Sequence, residues 1–122
     1  MKSLKSYQDL IVWQKSKNLA IRIYRCTQGF PSTEKFGIVS QMRRAAISIP
    51  ANIAEGQARN TTGEFLQSLG FARGSLAELE TFIIISEELA YLKPENSEEL
   101  LKDCGEIGKM LSSLQKSLST RL

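Results

Sequence analysis

Apolar and small residues recur at every third or fourth position through most of this chain, and no stretch alternates apolar with polar as a half-buried strand must. Four such stretches are separated by short turn-forming runs. Neighbours joined that closely bury their apolar faces against one another. The expected fold is all-α: an antiparallel up-down-up-down four-helix bundle formed by residues 1–122 as a single domain. A chain of 122 residues can close such a core without disulfide or metal staples.

The first helix is expected from Ser6, with Asp9 as an acidic capping partner and Val12, Ser16, Leu19, Ile23 and Cys26 on its buried stripe. Gly29 stops it, and "FPS" turns the chain. A second helix is expected from Ser32 or Thr33, burying Phe36, Val39, Ala46, Ile49 and Ile53 and ending between Gly56 and Asn60. Pro50 removes a backbone donor and crowds the Ala46 carbonyl, which predicts a kink. The small residues Ala45, Ala46 and Ser48 allow another backbone to come close. "TTGE" (Thr61 to Glu64) reads as a capping box for a long third helix that ends before Pro94. Its core face is Phe65, Leu69, Ala72, Leu76, Leu79 and Ile83. Gly70 and Gly74 have G-x-x-x-G spacing. Each costs about 1 kcal/mol against alanine in a helix, so a close helix crossing is expected there. Asn96 and Glu99 are expected to cap the fourth helix, whose stripe is Leu100, Cys104, Ile107, Leu111, Leu114 and Leu118.

The chain contains no histidine, which removes the imidazole base, the Ser-His and Cys-His pairs and the imidazole metal ligand. Its two cysteines are too few for a disulfide framework or an all-Cys zinc site, and both fall on apolar helical stripes. The expectation is a non-enzymatic protein without metal or cofactor. The N-terminus lacks the apolar core of a signal peptide, and no apolar run reaches membrane-spanning length. A cytoplasmic protein with no membrane partner is expected.

Charge is unevenly distributed. Residues 1–59 hold ten Lys and Arg against three acids, whereas residues 60–122 hold six against ten. If the first half stays together, one side of the molecule is basic and suits anions. Lys15, Lys17, Arg22, Arg25, Arg43, Arg59 and Arg73 are the residues nominated for RNA or DNA phosphates, because guanidinium and ammonium groups donate to phosphate oxygens. Tyr7, Trp13 and Tyr24 can stack on bases or serve as core. Adjacent arginines diverge by about 100° on a helix, so one of Arg43 and Arg44 faces inward. Arg44 is assigned that role, in an ion pair with Glu78 or Glu80 that sets helix register. The runs "LIVW" and "FIII" are apolar on every side. They nominate Leu10, Ile11, Val12, Trp13, Phe82, Ile84 and Ile85 as an interface between copies of the chain.

The strings "YQDLIVWQKSKNLAIRIY", "FPSTEKFGIVSQMRRAAISIPANIAEGQAR" and "FLQSLGFARGSLAELET" together resemble the four-helix-bundle family of 23S rRNA intervening-sequence proteins. The resemblance covers roughly Tyr7 to Leu92, and "RRAAISIPANIAEG" is its most specific part. It implies a bundle that assembles into a ring, commonly a pentamer, with no established enzymatic reaction. Some relatives are accessory proteins of diversity-generating retroelements, which work with a reverse transcriptase and carry a basic nucleic-acid-binding surface. The functional expectation is a homo-oligomer associated with nucleic acid. The competing expectation is a protein-interaction scaffold or accessory subunit that does not touch nucleic acid.

Overall fold

The computed structural model describes residues 6–122, so Lys2 and Lys5 of the charge count lie outside the described residues. Four α-helices account for most of these residues: α1 (Ile11–Thr27), α2 (Ile38–Ala58), α3 (Thr62–Glu88) and α4 (Pro94–Ser119). Successive helices pack side by side, and α1 closes the set against α4. Among the described residues the backbones of α1 and α3, and of α2 and α4, do not come close, which is the arrangement of a four-helix bundle.

Local sequence explains most helix ends and corrects several expectations. Ser6 does cap a helix, but only a short 3₁₀ turn (Tyr7–Asp9), with the Gln8 N–H donating to Ser6 Oγ at 3.1 Å. α1 itself begins at Ile11. Ser32–Glu34 likewise forms one 3₁₀ turn, and α2 starts only after Gly37. Phe36, expected in the core, therefore sits in a turn and is 89% exposed. The capping box before α3 forms as read: the Glu64 N–H donates to Thr61 Oγ1 at 3.1 Å, and the Thr61 hydroxyl donates to Glu64 Oε1 at 2.9 Å. α4 begins two residues earlier than its expected cap, with Pro94 in its first turn and Asn96 already helical. At the end of α3, Ala90 adopts φ 62°, and the Tyr91 N–H turns back to the Ser86 carbonyl at 2.8 Å.

The expected stripes form the core, with Cys26, Phe65 and Leu114 only partly buried against it. Val12, Leu19 and Ile23 meet Val39, Met42, Ala46, Ile49 and Ile53 from α2, Leu69, Ala72, Leu79 and Ile83 from α3, and Leu100, Ile107 and Leu111 from α4. Buried polar side chains are satisfied within their own surroundings. The Ser16 hydroxyl donates to the Val12 carbonyl at 2.7 Å, and the Ser86 hydroxyl to Met42 Sδ at 3.4 Å. α2 runs through Pro50 as one helix.

α2 and α3 share the most extensive helix seam, and it is tight at Gly56. A Cβ added at Gly56 would fall 2.7 Å from Ser68 Cβ and 2.9 Å from Phe65 Cδ1. Farther along the same seam the Ser48 and Ser75 hydroxyls are hydrogen-bonded at 2.7 Å. The glycine that permits a close crossing is thus Gly56. Gly70 and Gly74 do not serve that purpose within the chain, since a Cβ at either would meet nothing within 4 Å. Gly56→Ala is expected to lower the unfolding free energy by about 1–3 kcal/mol through overpacking. An unchanged urea midpoint would show that α2 and α3 can separate without cost.

Cys104 is fully buried on α4. Burial pushes its thiol up to about 12, and the carboxylates of Glu80 and Asp103 add to the rise. The unfolded thiol ionises near 9.0, so the folded state holds its proton where the unfolded chain releases it. That contribution to stability is complete below about pH 9 and is lost as pH climbs from there toward 12. Urea unfolding at pH 8 and pH 10.5 should show a larger loss for the wild type than for Cys104→Ala. Equal losses would rule out the thiol as the source.

Candidate nucleic-acid interface

The basic first half does stay together, but α4 covers one side of it with acid. Lys15 pairs with Glu106 at 3.4 Å across the α1–α4 seam. Arg22 pairs there with Asp103, and with Glu99 at 3.9 Å. Arg59 is held by Glu55 at 2.8 Å and by Glu64 at 3.9 Å, and its guanidinium binds its proton more tightly because of the Glu55 hydrogen bond. Arg73 lies on the opposite pair of helices, where it donates to Gln115 Oε1 at 2.9 Å and lines a groove between α3 and α4. The seven nominated cations therefore do not form one patch. These pairs are partly solvated and contribute little stability, yet each neutralises a charge.

The two adjacent arginines exchange their expected roles. Arg43 is the one that turns inward, toward α1. Its Nε donates to Thr27 Oγ1 at 2.9 Å, and its NH2 donates to the Tyr24 carbonyl at 3.1 Å. Its guanidinium carbon stands 4.7 Å from the Tyr24 ring centroid. Arg44 is exposed and shares a shallow depression between α2 and α3 with Glu78. Among the described residues it forms no ion pair, so the register pair expected of Arg44 with Glu78 or Glu80 is absent. Helical spacing alone separates the two arginines but does not say which side faces α1.

The outer face of α1 carries cations that form no ion pair among the described residues. Lys17, Ile21, Tyr24 and Arg25 are all exposed and fall at i, i+4, i+7 and i+8, a single helical stripe. α1 contains no Asp or Glu, and α2 contains only Glu55, in its last turns. Lys17 Nζ lies 5.6 Å from the Trp13 ring centroid, and Trp13 meets Tyr7 edge-on at 5.1 Å. Lys35 and Phe36, in the turn leading to α2, repeat the pairing at 5.5 Å. Among the described residues Lys17, Arg25, Lys35 and Arg44 form no ion pair. Lys35 and Phe36 were missed from sequence because they were read as the start of a packed helix.

The residues nominated for self-association divide in two. Val12 belongs to the subunit's own core, and Leu10, Trp13 and Phe82 are partly packed on it. Ile11 is 63% exposed, and Ile84 and Ile85 also face out, on the side of α3 that carries Gly70 and Gly74. Phe71 and Leu89 are exposed as well. Among the described residues no group of three or more His, Cys, Asp or Glu side chains is placed to hold a metal ion, and no helix is long and apolar enough to cross a membrane.

Comparison with known proteins places this geometry in a family. No functionally curated protein matches the chain. A crystal structure from Bacteroides thetaiotaomicron, described as a protein of unknown function from the S23 ribosomal protein family, superposes with a TM-score of 0.81 at 29% identity. The match covers 87% of this chain and 96% of that one. The sequence matches the 23S rRNA-intervening sequence protein family over residues 8–113, and the chain belongs to that family.

Proposed function

We propose that this protein is a non-enzymatic, self-assembling bundle that contacts RNA or DNA phosphates through the outer face of α1 and the turn into α2. The observation that carries the reading is the set of exposed cations on a helix without a single acid. Among the described residues Lys17 and Arg25 have no carboxylate partner, whereas Lys15 and Arg22 on the flank of the same helix do. Membership in a family named for an rRNA intervening sequence points to an RNA-related or accessory role. Assembly would repeat the same cationic stripe once per subunit, so a modest net charge of +3 per chain is multiplied.

Phosphate binding of this kind releases counterions and weakens steeply with salt. The variant Lys17→Glu/Arg25→Glu should bind structured RNA at least tenfold more weakly at low salt, with the log–log salt slope reduced by about two. Arg59→Glu, altering a cation already held by two carboxylates, should change binding far less. Undetectable binding of the wild type at low salt would overturn this reading in favour of a protein-interaction scaffold.

The self-assembly half of the proposal rests on α3. Phe71, Ile84, Ile85 and Leu89 leave an apolar outer face, and the glycines beside them have open space where a Cβ would stand. A second copy lying on that face would account for both features, and the family resemblance makes a ring of five the expected closed form. Light scattering of Ile84→Glu/Ile85→Glu should give the mass of one chain with its helical circular dichroism retained. A wild-type mass of one chain, or an assembly unmoved by both substitutions, would overturn it.

A further inference from the structure

Resting on the nucleic-acid reading above, we infer that the α1 face selects an unpaired strand over a duplex, stacking bases on Tyr24 between the phosphate contacts of Lys17 and Arg25. The cations alone do not distinguish the two, since both present phosphates. The residues between them do. Ile21 is 40% exposed and Tyr24 is 39% exposed, and both lie within the cationic stripe. A duplex keeps its bases stacked inside and offers a polar backbone, against which these apolar surfaces gain nothing. An unpaired strand offers the flat faces of its bases, and base–aromatic stacking does not depend on which base is present.

Tyr24 is also held as a platform should be. Arg43 anchors on the backbone carbonyl of Tyr24 and on Thr27 Oγ1, with its guanidinium 4.7 Å from the ring centroid. This contact restrains the ring before any ligand arrives, so less side-chain freedom is lost on binding. It also places a cation behind the aromatic surface. The same pairing of cation and ring recurs at Lys17–Trp13 and Lys35–Phe36, so the three such pairs among the described residues fall in the first half of the chain.

Trp13 is the only tryptophan, so its fluorescence reports events on this face without a label. The intact protein is titrated with single-stranded RNA, single-stranded DNA and the corresponding duplexes, at equal length and matched salt. The shared chemistry is the unpaired strand, and the two single-stranded arms separate its RNA and DNA sources. At least tenfold tighter binding of either single strand than of its duplex is expected. Tyr24→Leu should weaken single-strand binding roughly tenfold or more while duplex binding and the salt slope stay put. Tyr24→Phe should restore the preference. Because Arg43 bonds the backbone at Tyr24, helical content and mass should be unchanged in both variants. Equal affinity for single strands and duplexes, both weakened by Lys17→Glu/Arg25→Glu, would overturn the strand preference while leaving phosphate binding intact. A Tyr24→Leu protein that binds single strands as the wild type does would overturn it too.

Discussion

The close packing of α2 on α3 is the constraint from which the rest of the molecule follows. At Gly56 the two helices approach until a single added methyl would collide with Ser68 and Phe65. The hydrogen-bonded hydroxyls of Ser48 and Ser75 lie on the same seam. This narrow face sets the rotation of α2 about its own axis. Arg43 lies two residues before buried Ala45, about 200° around the helix, so a helix that turns Ala45 and Gly56 toward α3 turns Arg43 toward α1. Arg43 then seats on Tyr24 and Thr27, and Arg44 is left in water. The "RRAAISIPANIAEG" block is thus a packing element on one side and a brace for the aromatic on α1 on the other.

Charge is distributed by the same side-by-side order. α1 is flanked by α2 and by α4, and the acids of α4 lie where they neutralise Lys15 and Arg22. The flank of α1 next to α4 is therefore electrically quiet, while on its outer face Lys17 and Arg25 form no ion pair among the described residues. A surplus of basic residues in the first half of the chain is a poor guide to a basic surface, because this bundle sets its first helix against its last. Fewer cations remain than the count implies, and the two that remain on α1, Lys17 and Arg25, are interleaved with Ile21 and Tyr24.

Much of the fold was legible in the sequence. The stripes through Leu19 and Ile23, Ile49 and Ile53, Leu69 and Ile83, and Leu100 and Leu111 were all identified and are all buried, because helical periodicity is a local property. The Thr61–Glu64 capping box was legible for the same reason. Helix starts were less so: Ser6 and Ser32 cap only single 3₁₀ turns, and Phe36 was lost to solvent as a result. The G-x-x-x-G spacing of Gly70 and Gly74 says that a helix can be approached closely, not from where. Gly56 meets α3, while Gly70 and Gly74 face away from the chain's own core.

By itself the sequence determined the class of fold, the helices and their buried faces, since each depends on residues within a few turns of one another. It also excluded imidazole chemistry outright. Tertiary structure alone decided which arginine of the pair turns inward, which cations are neutralised, and which apolar residues of "LIVW" and "FIII" remain outside the core. Those outcomes depend on how far each helix is rotated toward neighbours distant in sequence, and that rotation is set by the tight α2–α3 seam rather than by any local pattern.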